Sequence, residues 1–573
     1  MNKKPIIYQV FTRLYGNRNV TCKKWGTEDV NGSGKFNDIT TEELEHIKQL
    51  GVTHIWFTGV LRHATQTDYR AADPDIPVQH PAVVKGIAGS PYAICDYYDV
   101  DPALAVDVKN RKEEYKALVK RCHAAGLRVI MDFVPNHVAR QYKSIAKPDG
   151  VKDLGEDDDK TLGFTPQNNF YYCPGEPFAP EFDLTYGTYN PWEGNICPVE
   201  PYHEEPAKST GNDCFCNHPG KNDWYETVKL NYGKDYWAQE GHYDPIPNTW
   251  EKMVAILDYW ITEAQVDGFR CDMAEMVPTD FWTYATDIIK KKHRGVIFIG
   301  EVYDPSQYRN YIAAGFDYLY DKVGMYDTVR AAICGQGWAS GITYAWQSTD
   351  DIKDHMLYFL ENHDEQRIGS DFFAGDGKKG IPGLVVSVLL QKNPFMLYAG
   401  EEYGERGMDE EGFSGKDGRT TIFDYWCIDT LWRAAKGKLT DDEKALYDMH
   451  CRVMKIARTE KAADGEFYDL MYVNPQSEHF SQQHNFAFLR KKGNETLLVV
   501  CNFSGEQTDI ELMIPHHAVE FLSITEKRYT ATDLLSGEKT QFYVHGNGNL
   551  KMSVPAYGAR VWKFVDRKTA AKK

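Results

Sequence analysis

The 573-residue chain has no run of about 18 apolar residues, the length a helix needs to cross a bilayer, so nothing in it reads as a membrane span. Its first residues, MNKKPIIYQVFTRLYGN, hold two lysines but no sustained apolar stretch and no small-residue cleavage site. Unless a leader has been trimmed away, the expectation is a cytoplasmic protein. Positive charge is also in deficit: 65 Lys and Arg stand against 83 Asp and Glu, a net charge of -18, which argues against nucleic-acid partners. No glycine fingerprint follows the first strand-like run, and there is no H-E-x-x-H or H-x-H pair. These absences remove dinucleotide binding and the common zinc hydrolases. No internal repeat or low-complexity tract is found, which removes the solenoids.

Aromatic residues are plentiful. The chain is 42% hydrophobic and 13% aromatic, enough for a large core. Its 36 Tyr, 27 Phe and 13 Trp exceed what a core of this size usually needs, and sugar-binding clefts use aromatic platforms. Of the twelve cysteines, Cys271 and Cys501 lie inside apolar strand-like runs and read as free buried thiols in a reducing compartment. Cys173, Cys197, Cys214 and Cys216, with nearby His218, form a separate group whose CFCNH spacing matches none of the usual zinc patterns. A metal or disulfide cluster and scattered loop cysteines both remain open there.

Eight β-type runs recur along the chain, at 5–11, 53–60, 128–134, 266–272, 296–302, 316–320, 356–364 and 394–402. Amphipathic helical patterns lie between them, among them 41–51, 112–126, 250–264 and 279–295. Eight near-continuous apolar strands alternating with helices predict a parallel sheet covered on both faces, closed as a (β/α)8 barrel; an open doubly wound sheet is the runner-up. Two regions break the alternation. Residues 138–231 are rich in Asn, Pro, Gly and acid, and read as a domain inserted after strand three, dividing the barrel into 1–137 and 232–460. From 461 to 573 the pattern alternates with turn residues, as in an antiparallel β-sandwich domain.

The carboxyl ends of barrel strands are where active sites of this architecture are built. Strand three ends in MDFVPNHV, with Asp132, Asn136 and His137; strand four carries Arg270 and Asp272, strand five Glu301, strand seven His363 and Asp364. An arginine and two aspartates inside VDGFRCD are costly to bury, and a structural ion pair would explain that one strand. Polar groups after each of several buried strands call for chemistry instead. Two carboxylates whose surroundings separate their proton affinities suit glycoside hydrolysis. Metal-dependent hydrolysis is the alternative, but His137 and His363 fall on separate strands.

The sequence resembles the α-amylase family in four ordered motifs: DFVPNH at 132–137, GFRCD at 268–272, GEVY around Glu301 and ENHD at 361–364. SPYAICDYYDVDP at 90–102 and the order of domains are similar too. The resemblance implies that Asp272 is a nucleophile, Glu301 the acid/base and Asp364 a transition-state stabiliser that binds sugar hydroxyls. It implies that Tyr92 stacks on the sugar, that His137 and His363 hydrogen-bond it, and that Arg270 keeps Asp272 ionised. The substrate would be an α-glucan or malto-oligosaccharide cleaved at α-1,4 bonds with retention. Transglycosylases and isomerases of the family share these residues; a non-catalytic glycan-binding relative would be free to lose the three carboxylates.

The resemblance also suggests a structural calcium between barrel and insert, held through Asn136; the alternative reading is that Asn136 simply hydrogen-bonds the loop after strand three. Acidic candidates in the insert are Asp153, Glu156, Asp157, Asp158 and Asp183. Two departures stand out. Glu275-Met276 replaces the Lys-His pair that often follows the nucleophile; the Met276 carbonyl could still serve calcium, but Glu275 puts the lysine's sugar contact in doubt. The fifth family motif survives only loosely, in VKLNYG at 228–233.

Overall fold

The computed structural model describes residues 4–182 and 201–566. Its centre is a closed parallel barrel of eight strands, as the alternating pattern predicts. They are β1 (Ile6–Phe11), β2 (His54–Thr58), β3 (Arg128–Phe133), β4 (Gly268–Cys271), β5 (Ile297–Gly300), β6 (Tyr318–Tyr320), β7 (Met356–Phe359) and β8 (Phe395–Tyr398). Each strand pairs with its sequence neighbours, and β8 closes on β1 with Ile6 opposite Phe395. Period-two alternation sends one set of side chains inward, where Ile7, Trp56, Ile130, Ile299, Leu357 and Met396 pack as the barrel's own core. The other set meets the helices.

Those helices follow the apolar spacing: α1 (Thr41–Gln49), α2 (Arg111–Ala124), α3 (Asn248–Ala264), α4 (Thr279–Lys292) and α5 (Ile381–Leu389). The hydroxyl of Thr40 caps α1 by accepting the Glu43 N–H. Gly126 just past α2 has φ +78, the left-handed geometry that ends a helix without strain. On α3, Met253, Leu257, Trp260 and Ala264 are buried at helical spacing. Among the described residues no helix is long and apolar enough to cross a membrane.

Most strands are shorter than the apolar runs, and side-chain competition for the backbone explains the clearest cases. The run 356–364 leaves the ladder at Phe359; beyond it the Asn362 side-chain oxygen Oδ1 accepts the N–H groups of Asp364 and Glu365 and turns the chain. The run 394–402 stops at Tyr398, because Gly400 takes φ +98 and a short 3-10 turn begins at Glu401.

Between β3 and α3 the chain leaves the barrel and returns. His137–Ala139 pairs antiparallel with Thr227–Lys229, and within the excursion Tyr172–Cys173 pairs with Ala207–Lys208. This return strand lays Lys229 opposite His137. Beyond the barrel the chain is antiparallel β. A six-stranded sheet holds β9 (Glu466–Asp469), β10 (Asn485–Lys492), β11 (Glu495–Asn502), β13 (Lys527–Asp533), β14 (Lys539–Val544) and β16 (Gly558–Val565), in the order β9-β10-β11-β16-β13-β14. A second, two-stranded pair joins β12 (Thr508–Ile514) to β15 (Gly548–Val554).

Candidate active site

Arg270 sits on β4 between Asp132 of β3 and Ile299 of β5, at an inward position where its guanidinium is fully buried. A lone buried charge would be prohibitive, and this one is surrounded. Nη1 donates to Asp272 Oδ1 at 2.9 Å and lies 3.4 Å from Asp132 Oδ1. Nη2 pairs with Glu301 Oε2 at 2.8 Å, and Nε donates to the Tyr320 hydroxyl at 3.2 Å. The Trp56 ring lies 5.0 Å away. One cation therefore joins the ends of β4 and β5.

The next residues turn that pairing into a site. Asp272 follows the last residue of β4, and Met273 adopts φ +42, a left-handed conformation that a non-glycine residue holds only under constraint. In that conformation the Met273 N–H donates to Glu301 Oε2 at 2.8 Å. The other oxygen, Oε1, accepts the Tyr303 hydroxyl at 2.6 Å. Behind this loop, Glu275 accepts the N–H groups of both Tyr303 and Asp304, at 2.9 and 3.1 Å. Its carboxylate is thus committed to backbone.

Across the cavity, Gln9 of β1 donates to His363 Nδ1 at 2.7 Å, which leaves the proton on Nε2. That nitrogen faces the Tyr92 hydroxyl at 2.5 Å and Asp364 Oδ2 at 3.0 Å, and the two rings stack at 5.3 Å. His137 is fixed similarly: Asn136 Nδ2 donates to its Nδ1 at 3.0 Å, and its ring meets Trp224 at 5.3 Å. Burial, with Lys229 and Lys85 nearby, lowers the His137 ring to about 3, so it lines the cavity as a neutral ring.

The carboxyls are strongly differentiated. Burial, together with Glu301, Asp132 and Asp364, pushes Asp272 well above the ordinary carboxylate range while Arg270 opposes. Burial lifts Asp132 to about 6, again against Arg270. Asp364 is held below its ordinary value, against burial, by His363 first and then Arg270 and Arg419. The three acids Asp272, Glu301 and Asp364 open into one cavity of about 420 Å³, with Tyr92, His137 and Trp224 on its walls. Arg270 and His363 stand just behind that lining.

Asn136 is brought to the same corner but faces away from the cavity. It is fully buried, its Nδ2 donates to the Gly211 carbonyl at 2.8 Å, and its Oδ1 accepts the Lys229 ammonium at 2.5 Å. The oxygen that calcium would need is taken by a cation of the chain itself. The acidic candidates are engaged too. Asp153 accepts the N–H groups of Ser144 and Leu154, and Asp158 those of Asn169 and Phe170. Glu156 accepts the Asp153 N–H, and Asp157 pairs with Lys152. Asp183 and Cys197 lie outside the described residues. Among the described residues, no group of three or more His, Cys, Asp and Glu is placed to hold a metal ion. Cys173 is buried on its strand, Cys214 and Cys216 are free thiols with sulfurs 3.4 Å apart, and His218 is bonded to Asn217.

Sequence reasoning missed Gln9, Trp56, Trp224 and Tyr303. Gln9 did carry a signal, as the one amide in the apolar run PIIYQVF. Tyr303 lies two residues past Glu301, but its contact depends on how the loop turns. Trp224 gave no signal, because its neighbour His137 is 87 positions away, set by the return of the insert.

Two family descriptions match the sequence: "Alpha amylase, catalytic domain" over residues 17–181 and 244–457, and "Alpha amylase, C-terminal all-beta domain" over 477–565. The chain belongs to the α-amylase family. Similar curated relatives include an α-amylase of Streptomyces lividans, 26% identical, with 74% of this chain and 46% of that protein covered. The chain therefore spans about half the length of that relative. A cyclomaltodextrinase of Geobacillus thermopakistaniensis is 20% identical over 97% of this chain and 76% of its own length. A maltogenic α-amylase of Thermotoga neapolitana superposes with a TM-score of 0.62 at 21% identity, covering 99% of this chain and all of that one, a likeness of fold. Within the α-amylase family frame, the four motifs are the segments that deliver Asp132, Arg270, Asp272, Glu301, His363 and Asp364 to the barrel mouth.

Proposed function

We propose that the chain is a retaining glycosidase cleaving α-1,4-glucosidic bonds in starch-like glucans and maltodextrins. The observation that carries this reading is the single Arg270 guanidinium held between Asp272 and Glu301, with Asp364 opening into the same cavity. Three buried carboxyls, Asp132, Asp272 and Glu301, crowd one cation, an arrangement that disfavours full ionisation of the set. A double displacement needs that state: one carboxylate free to attack, another carrying a proton.

In the first step an Asp272 oxygen bonds to the anomeric carbon as the glycosidic C–O bond breaks, and Glu301 gives its proton to the departing oxygen. In the second, the Glu301 carboxylate takes a proton from water, whose oxygen attacks the same carbon and releases Asp272. Two inversions restore the α configuration. Asp364, held from behind by His363, faces the sugar hydroxyls, the neutral His137 ring lines the same wall, and Tyr92 supplies the apolar face for the ring. Arg270 keeps charge on Asp272 where water is excluded.

Transfer to an acceptor sugar would use the same residues, so products decide. Incubation with maltoheptaose should give shorter sugars alone. Sugars longer than the substrate would identify a transglycosylase, and no turnover of any α-glucan would refute the reading.

A further inference from the structure

Lys229 is the third residue of the return strand Thr227–Lys229, and its side chain is 2% exposed. Burying an ammonium so completely requires partners for its three N–H donors. Three oxygens from three separate segments meet it. Asn136 Oδ1, from the loop after β3, accepts at 2.5 Å; Asp213 Oδ1, from the insert, pairs at 2.7 Å; and the Met276 carbonyl, four residues past Asp272, accepts at 3.4 Å. An amide oxygen, a carboxylate and a peptide carbonyl are hard donors of the kind that bind calcium. Here they are set at hydrogen-bond distances around a monovalent nitrogen. Calcium would need six to eight oxygens closing to about 2.3–2.6 Å, and it would have to displace a positive charge tethered at the centre of the set. The ammonium's count and charge also match: three donors for three acceptors, and one cation for one carboxylate.

We propose that the Lys229 ammonium is the resident cation of this joint, tying barrel, insert and the segment after Asp272 together where a divalent ion would otherwise serve, and that folding at this joint needs no calcium. The strand pairing supports the assignment from the backbone side. Lys229 lies opposite His137 in register, so the peptide chain that carries the cation is itself fixed to the barrel beside Asn136.

The test uses the full chain dialysed against chelator and then returned to millimolar calcium, with melting temperature as readout. Wild type should melt at the same temperature in both. Lys229→Met keeps the length of the stem and removes the charge, and should melt several degrees lower. Lys229→Ala opens room among the three oxygens, and millimolar calcium should raise its melting temperature by mass action while leaving wild type unmoved. A wild-type melting temperature that falls on chelation and recovers with calcium overturns the proposal, whether or not the variants fold. So does a Lys229→Met protein that melts with wild type, or a Lys229→Ala protein indifferent to calcium.

Discussion

In the proposed reaction Asp272 carries opposed demands: attack needs it charged, while burial and its acidic neighbours push its proton affinity up. Asp272→Asn should therefore separate activity from stability. Turnover should fall by roughly four powers of ten or more, as for loss of a covalent nucleophile, while the melting temperature stays level or rises because a repelled buried charge is gone. Kinetics and a thermal melt on one preparation check both halves; near-normal activity would reject the assignment. A second residue-scale prediction concerns His54, buried on β2 and held by Thr53. Burial, helped by Arg128, lowers its ring from 6.5 to about 4. As pH falls through that window the unfolded chain takes up the proton and the folded one does not, so stability present above 6.5 is lost towards 4. Relative to His54→Gln, which lacks the titrating ring, wild type should lose about 2 kcal/mol more between about pH 7.5 and 5. Parallel denaturation curves at the two pH values measure that difference; equal losses would mean the ring titrates normally.

At the scale of elements, the loop after β5 is secured from behind by Glu275, which accepts two of its N–H groups. Removing that acceptor with Glu275→Ala should let Glu301 and Tyr303 drift. The expected result is a fall in kcat of roughly tenfold with KM within about twofold, because positioning rather than binding is lost. Glu275→Gln retains an acceptor oxygen and should recover most of it; a variant in which KM alone changes would place Glu275 in sugar binding instead. The seam between barrel and β domain rests on Arg490 of β10, buried and donating to the carbonyls of Leu389 and Leu390 at the end of α5 and of Ala463 and Gly465. Arg490→Ala strands four carbonyls and should cost about 3 kcal/mol or more. A calorimetric melt unchanged by this substitution would show the seam to be held elsewhere. The elements themselves were legible because every barrel strand is an apolar run. Their ends were less so, since Asn362 and Gly400 redirect the backbone inside stretches that still look like strand.

For the whole molecule, what could be read depended on how far apart in sequence the partners lie. The (β/α)8 alternation and the acids at the strand ends are local patterns, and Asp272, Glu301, Asp364, Tyr92 and His137 do meet at one cavity. The order β9-β10-β11-β16-β13-β14 in the last sheet was hidden, because β16 inserts between strands that precede it in sequence. Hidden for the same reason was the meeting of Asn136 with Lys229, 93 positions on, at the corner where calcium is one of two readings of the sequence. The central proposal is that the barrel mouth performs a double displacement. The most direct test follows maltotetraose or longer substrate by proton NMR and records which anomer of the new reducing end appears first, before mutarotation. The α anomer is the result the proposed mechanism predicts; the β anomer would mean a single displacement by water and would contradict the role proposed for Asp272.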